Sequence, residues 1–140
     1  MWAPTTSDGF FRSNKKLLCV GHYASVGYEP PPTGYTIEIT DTNSMPWSSS
    51  DHMNAVLAKI VPHPTKFHQV WAQLRGKQPV YLWKPVPPSA AFVALGCVAT
   101  TTPDEPPLDC VRCVPVSWVG RGARPPLLIW DDSGTAGSSG

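Results

Sequence analysis

The four cysteines are the residues of this chain best suited to chemistry, and two of them form a Cys-x-x-Cys motif. Cys110 and Cys113 have the spacing of half a structural zinc site, which needs two further ligands. Cys19 and Cys97 are the candidate partners, because they lie at adjacent places in two similar segments. A regular strand would point Cys110 and Cys113 to opposite faces, and no βαβ unit suited to a redox motif is visible. We therefore predict reduced thiols, no metal and no cofactor.

Histidines and carboxylates form no catalytic pattern. His63 and His68 are five residues apart in a segment that contains proline, so a shared helical face is not expected. No Gly-x-Ser-x-Gly motif is present, although a nucleophile elbow would need one. The acidic pairs at 104–105 and 131–132 lie at predicted turns, where aspartate supports the turn geometry. We predict that the chain is not an enzyme and has no catalytic residues.

Composition restricts the partners further. The 140 residues carry a net charge of +1, and only 15% of them are charged, against about 25% in typical globular chains. This balance gives no reason to expect nucleic-acid binding. The first residues lack a basic stretch followed by an apolar one, and no apolar run could span a membrane. A cytoplasmic protein without a transmembrane segment is predicted.

Two motifs occur twice. Residues 75–83 read RGKQPVYLW and residues 121–130 read RGARPPLLIW, while LLCVGHYAS at 17–25 resembles FVALGCVAT at 92–100. Each copy of the second motif is followed by Glu-Pro-Pro, at 29–31 and 105–107. Repetition of this kind predicts an internal-repeat fold. We interpret 1–140 as a single domain with a partial first repeat (10–40), an insertion (41–66), a complete repeat (67–117), and a partial last repeat with a flexible tail (118–140).

Glycines and tryptophans that occupy equivalent positions in the repeat are predicted to have structural roles. Gly21 and Gly96 match, and we expect a bulge or a close approach between strands there. Four tryptophans also match in pairs and are expected to face the core: Trp71 with Trp118, and Trp83 with Trp130.

The same repeat places two basic loops at equivalent sites, and these are the candidate binding loops for phosphate headgroups. They contain Arg75 and Lys77 in one copy, and Arg121 and Arg124 in the other.

Short apolar runs separated by prolines and other turn residues predict an all-β fold, either β-prism-like or a β-sandwich. The helical spacing of Met53, Val56, Leu57 and Ile60 predicts one short helix at 51–60, in the insertion. The strands are predicted at 17–23, 34–40, 67–71, 79–83, 92–99, 110–114, 116–119 and 127–130.

Several of these stretches together resemble a known family. They are Trp-x-Pro-x-Pro-Pro (83–88), Leu-Gly-x-Val-Ala (95–99), Glu-Pro-Pro (105–107), Arg-Cys-Val (112–114) and Pro-Leu-Leu-Ile-Trp-Asp-Asp-x-Gly (126–134). The combination resembles the vacuolar-sorting "sixty-two"-type domain, which is also found in chorein-type proteins that bridge membranes and move lipids. That family often has Asp after the repeated Gly, where this chain has His22 and Cys97. The resemblance implies an all-β repeat fold and no catalytic residues.

Two functions from different classes follow. The resemblance implies an adaptor near endosomal or vacuolar membranes, with a protein partner and weak contact to anionic lipid. The alternative is a carbohydrate-binding β-prism domain, since that fold is common among lectins. Sugar sites usually need convergent Asp, Asn and Gly loops, whereas Asn14, Asn43 and Asn54 are the only asparagines and none lies in a repeated motif. The sequence therefore favours the adaptor.

Overall fold

Antiparallel strands dominate the computed structural model, which describes residues 3, 15–25, 29, 36–42, 50–120, 122, 128, 131 and 133. The strands are β1 (Lys15–Cys19), β2 (Thr36–Thr40), β3 (Lys66–Gln73), β4 (Val80–Val86), β5 (Phe92–Val93), β6 (Val98–Thr100) and β7 (Val114–Pro115). One α-helix, α1 (Ser50–Ile60), and two 3-10 helices, Leu108–Cys110 and Val116–Trp118, complete the described part. The predicted all-β class with one short helix is confirmed; the prism-like arrangement stays a prediction.

The strands form three small antiparallel sheets. The β1–β2 pair places Lys15 opposite Thr40, and the Lys15 ammonium contacts the carboxylate of Glu38 at 2.8 Å on the exposed face. In the second sheet, β4 lies between β3 and β6. A bulge interrupts the β3–β4 pairing between Gln69 and Trp71. The third sheet pairs β5 with β7 over only two residues each.

Helix α1 lies in the predicted insertion and contacts the core through a narrow stripe. Leu57 and Val61 are buried and pack with Met53, as expected for residues spaced four apart on one helix face. Val56 and Ile60 share the predicted helical spacing but are 38% and 40% exposed. The buried face of α1 is therefore narrower than its apolar face, because the helix packs on one side against the β1–β2 sheet.

The segment that follows the helix is hydrogen-bonded to the chain at residues 112 and 113. Arg112 donates from Nη1 to the Val61 carbonyl at 3.2 Å, and the Cys113 N–H donates to the Pro62 carbonyl at 2.9 Å. Both carbonyl groups belong to the two residues that follow α1, so these bonds fix the path of the chain as it leaves the helix.

Two apolar clusters form the core, and β1 contributes to both. Cys19 packs in one with Phe67, Trp83, Val98 and Val111. Its neighbour Leu18 packs in the other, with Leu57, Val61 and Val114. Consecutive side chains of a strand point to opposite faces, so β1 is buried on both sides at these two residues.

Three predicted strands differ from the observed elements. The run at 92–99 is divided into β5 and β6, with Gly96 between them. Of the predicted strand at 110–114 only Val114 belongs to β7, and the predicted strand at 116–119 is largely the 3-10 helix Val116–Trp118. The other 3-10 helix, Leu108–Cys110, precedes β7. Pro107 and Pro115 immediately precede these 3-10 helices, and proline both fixes φ and removes a strand donor. Of the predicted strand at 127–130, all but Leu128 lies outside the described residues.

Candidate interaction surface

Gly21 and Gly96, which occupy equivalent positions in the repeat, are in contact. A Cβ atom on Gly21 would lie 2.8 Å from the Cα of Gly96, and one on Gly96 would lie 3.1 Å from the Cα of Gly21. Gly21 also has a φ of 147°, a region that side chains disfavour. The two similar segments therefore touch at a point where only hydrogen atoms fit between the backbones.

Beside this contact, His22 joins the first segment to β6. Its N–H donates to the Cys97 carbonyl at 2.9 Å, and its Nδ1 accepts from the Ala99 N–H at 3.1 Å. Nδ1 must therefore be unprotonated, and burial lowers the pKa of His22. His22 stands where the family that this sequence resembles often has Asp, and its imidazole accepts a hydrogen bond from the backbone of β6.

The repeat-matched tryptophans differ in their surroundings. Trp83 is buried and donates from Nε1 to the Thr100 hydroxyl at 2.9 Å, whereas Trp71 is half-buried. Trp118 is 54% exposed, so the expectation that it faces the core is wrong. Trp130 lies outside the described residues.

Trp118 belongs to an exposed apolar segment next to β7. Val116 is 48% exposed and Val119 is 42% exposed; we call these two side chains and Trp118 the Trp118 surface. The Val116 N–H donates to the Ala91 carbonyl at 2.9 Å, and the Val119 N–H donates to the Val116 carbonyl at 3.1 Å. The first bond joins the start of the 3-10 helix to the residue before β5, the second closes the turn of the helix, and the side chains are exposed.

Sequence reasoning missed the two valines of this surface, although a signal was available. Val-Ser-Trp-Val stands between Pro115 and Gly120. An apolar run that short, closed by proline and glycine, is poorly suited to a ladder.

One predicted basic loop lies within the described residues. Arg75 and Lys77 are exposed in the loop between β3 and β4, beside Leu74, which is 62% exposed. The Arg75 N–H donates to Oε1 of Gln73 at 2.9 Å, which shapes the loop. The equivalent Arg121 and Arg124 lie outside the described residues, so a shared face for the two loops stays a prediction.

The four cysteines occupy different surroundings. Cys19 and Cys113 are buried, Cys97 and Cys110 are half-buried, and all four are free thiols. Burial raises the pKa of the Cys110 thiol to about 11, with a further contribution from nearby Cys19. Within the described ranges, no group of three or more His, Cys, Asp or Glu side chains is placed to hold a metal ion.

The second Glu-Pro-Pro motif supports the start of β3. Oε1 of Glu105 accepts from the Phe67 N–H at 2.6 Å, and Pro106 is buried. The carboxylate thus satisfies a donor at a strand end, which sequence reasoning had assigned only to a turn.

Comparison with known protein families places this sequence. The sequence model of the Vps62 family, vacuolar protein sorting-associated protein 62, matches residues 7–135. No curated protein and no solved structure matched the chain. Among the helical residues that the structure describes, none forms a helix long and apolar enough to cross a membrane. Because the match covers nearly the whole sequence, the chain belongs to the Vps62 family of vacuolar protein sorting-associated proteins.

Proposed function

We propose that this chain is a non-enzymatic adaptor module in vacuolar protein sorting, and that it binds a protein partner through the Trp118 surface. Family membership supports the sorting role. Exposure of Val116, Trp118 and Val119 is the observation that supports binding there. Single exposed apolar residues are normal on a protein surface, whereas large contiguous apolar patches mark interaction sites; here three apolar side chains are exposed within four residues.

The composition of this surface suits protein recognition. Tryptophan is enriched among the residues that dominate binding energy at interfaces, and smaller apolar neighbours exclude water around it. Val116 and Val119 stand on either side of Trp118 in the sequence, and backbone hydrogen bonds fix both. A partner would therefore meet a surface that is already ordered.

The proposal extends to location and to the larger protein. The module would act at endosomal or vacuolar membranes, as part of a protein that bridges membranes and transfers lipid. Its basic loops would add only weak contact with anionic lipid, because each basic residue near such a surface contributes about 1 kcal/mol. For the carbohydrate-binding alternative, no specific observation in the described residues speaks in its favour.

The test replaces the gene in its own cells with a Trp118→Ser variant. We expect missorting of a vacuolar hydrolase to the cell exterior, with the variant protein present at normal abundance. Leu74→Ser is the matched control, because Leu74 is also apolar and exposed but lies in the β3–β4 loop. Normal sorting in the Trp118→Ser cells would contradict the proposed role of this surface.

A further inference from the structure

The β3–β4–β6 sheet carries a cluster of basic side chains far along the strands from the β3–β4 loop. Lys66, His68 and Lys84 are exposed on one face of this sheet, and we call these three side chains the Lys84 face. We propose that the Lys84 face docks on membranes by binding lipid headgroups that carry a phosphate monoester. The inference rests on the proposed location at a membrane, and it adds a contact surface and the headgroup chemistry.

The register of β3 and β4 places the three side chains together. His68 lies directly opposite Lys84, so their Cβ atoms are about 4.5–5.5 Å apart. Lys66 is two residues before His68 and therefore points to the same face, about 7 Å along the strand. The neighbours that point to the other face, Phe67 and Trp83, are buried in one core cluster. The three basic side chains therefore extend from one small area on the solvent side of the sheet.

No carboxylate from this sheet neutralises the cluster. Residues 52–103, which include all three strands, contain five lysine and arginine residues and no aspartate or glutamate. Among the described residues, neither Lys66 nor Lys84 is in an ion pair. Glu105 reaches the edge of β3, but its carboxylate accepts the Phe67 N–H. An anion that approaches the Lys84 face would therefore meet no like charge from the sheet itself.

The spacing and the donors suit a compact anion with more than one charge. Lys66 and Lys84 are diagonal neighbours with Cβ atoms about 7–8 Å apart, and flexible lysine side chains can bring both ammonium groups to one phosphate. His68 adds a ring N–H donor. A phosphate monoester carries about −1.5 to −2 charges at neutral pH and offers three acceptor oxygens, one for each donor. The diester of an ordinary phospholipid has less charge and fewer free oxygens.

The flat form of this face favours a headgroup at a membrane over a free phosphate or a phosphopeptide. The donors stand on two paired strands, whereas sites for free small molecules are concave. A peptide is often aligned by main-chain hydrogen bonds along a sheet edge, but the Phe67 N–H at this edge already bonds Glu105. A membrane presents many headgroups in one plane, and this density compensates for a weak individual contact.

The experiment is co-sedimentation of the complete chain, at physiological salt, with phosphatidylcholine vesicles that contain a phosphatidylinositol monophosphate. We expect binding, and the apparent dissociation constant should rise about fivefold or more in Lys66→Gln/Lys84→Gln. Arg75→Gln/Lys77→Gln is the matched control, because it removes the same charge from the loop at the other end of the β3–β4 hairpin. It should bind almost as well as the wild type. Circular dichroism of each variant confirms that it is folded.

Two further arms separate the headgroup chemistry from the membrane. Vesicles with an equal charge supplied by phosphatidylserine should bind more weakly, because its phosphate is a diester. In an NMR titration, free phenyl phosphate should shift the amide signals of residues 66–68 and 84–86, and dimethyl phosphate should do so less.

Several outcomes would overturn the inference. Equal losses in the two double variants would show a general attraction by charge and no site. Equal binding to the phosphatidylserine vesicles would refute the monoester. Binding of phenyl phosphate or of a phosphoserine peptide through Lys66 and Lys84, without binding to vesicles, would refute the membrane as the occupant. None of these results bears on the Trp118 surface, and only normal hydrolase sorting in Trp118→Ser cells would count against the adaptor function itself.

Discussion

The contact between Gly21 and Gly96 yields a quantitative prediction, because the chain contains four glycines that separate two effects. Gly21 has a positive φ and no room for a Cβ atom, and Gly76 has a positive φ of 133° with nothing within 4 Å of a Cβ. Gly96 has little room and no positive φ, and Gly120 has open space and no positive φ. Alanine at the four positions therefore tests strain and crowding separately.

The magnitudes follow from these two effects. An L-residue in a conformation reserved for glycine costs about 1–3 kcal/mol, so Gly76→Ala should lose that amount. Overpacking costs about 1–3 kcal/mol, and Gly96→Ala should fall at the lower end because its closest contact is 3.1 Å. Gly21→Ala combines strain with a 2.8 Å approach to backbone, and we expect a loss of about 3 kcal/mol or more. Gly120→Ala should stay within about 0.5 kcal/mol of wild type.

The assay is urea unfolding of each variant, followed by the fluorescence of the six tryptophans, to which buried Trp83 contributes. A domain of this size has a free energy of unfolding of about 5–15 kcal/mol, so the three expected losses are measurable. The double variant Gly21→Ala/Gly96→Ala should lose less than the sum of the single variants, because the first methyl group already separates the two backbones.

The order of the four variants in free energy of unfolding tests whether the close approach of the two backbones has an energetic cost. If Gly21→Ala and Gly96→Ala are as stable as Gly120→Ala, the two backbones do not touch and the reasoning is refuted. If Gly21→Ala loses no more than Gly76→Ala, strain alone accounts for it and the close approach has no energetic consequence.

Four further predictions concern other sites. Thr100→Val should lose about 1–3 kcal/mol in urea unfolding because it removes the acceptor of the Trp83 Nε1–H, whereas the exposed Thr102→Val should not. Cys110 should be alkylated slowly by iodoacetamide at neutral pH, and its rate should rise until about pH 11, since burial raises the pKa of its thiol to about 11; a plateau near the usual thiol pKa, read by peptide mass spectrometry, would contradict this. Burial lowers the pKa of His22 in the folded chain, while an unfolded histidine titrates near about 6.5. The unfolded state therefore binds more protons below that pH, so stability is complete above it and is lost as the pH falls; His22→Asn should show a smaller loss on acidification in urea unfolding. Binding to anionic liposomes should be weak at low salt, nearly absent at physiological salt and reduced in Arg75→Glu/Arg124→Glu by co-sedimentation; tight binding that ignores salt would contradict an electrostatic contact.

Strands and the helix could be predicted from the sequence where the local pattern of residues decides the structure. The strand predicted at 34–40 corresponds to β2 (Thr36–Thr40), and the helix predicted at 51–60 corresponds to α1 (Ser50–Ile60). The repeat predicted a bulge or a close approach at Gly96, but the apolar run at 92–99 did not show that the strand would divide there. Periodicity also cannot tell how wide the surface under a helix is, so it did not show that Val56 and Ile60 would be exposed on α1.

The candidate site was harder to predict than the fold. Equivalence to Trp71 suggested a core position for Trp118, but Trp118 follows the short β7 within a 3-10 helix while Trp71 lies within an eight-residue strand. Exposure depends on the neighbours that pack over a residue, and a repeat in the sequence does not guarantee the same neighbours. The basic loops were identified from the sequence alone, and their role stays a prediction.

The double burial of β1 has a consequence for the way the domain opens. Leu18 and Cys19 are consecutive, yet each belongs to a different apolar cluster. Displacement of β1 would expose both clusters to water together. The α1 side and the β3–β4–β6 side of the core would therefore open at the same time when this strand leaves. Slow amide hydrogen exchange in β1, β4 and around Leu57 would therefore reflect a single cooperative unit rather than two independent ones.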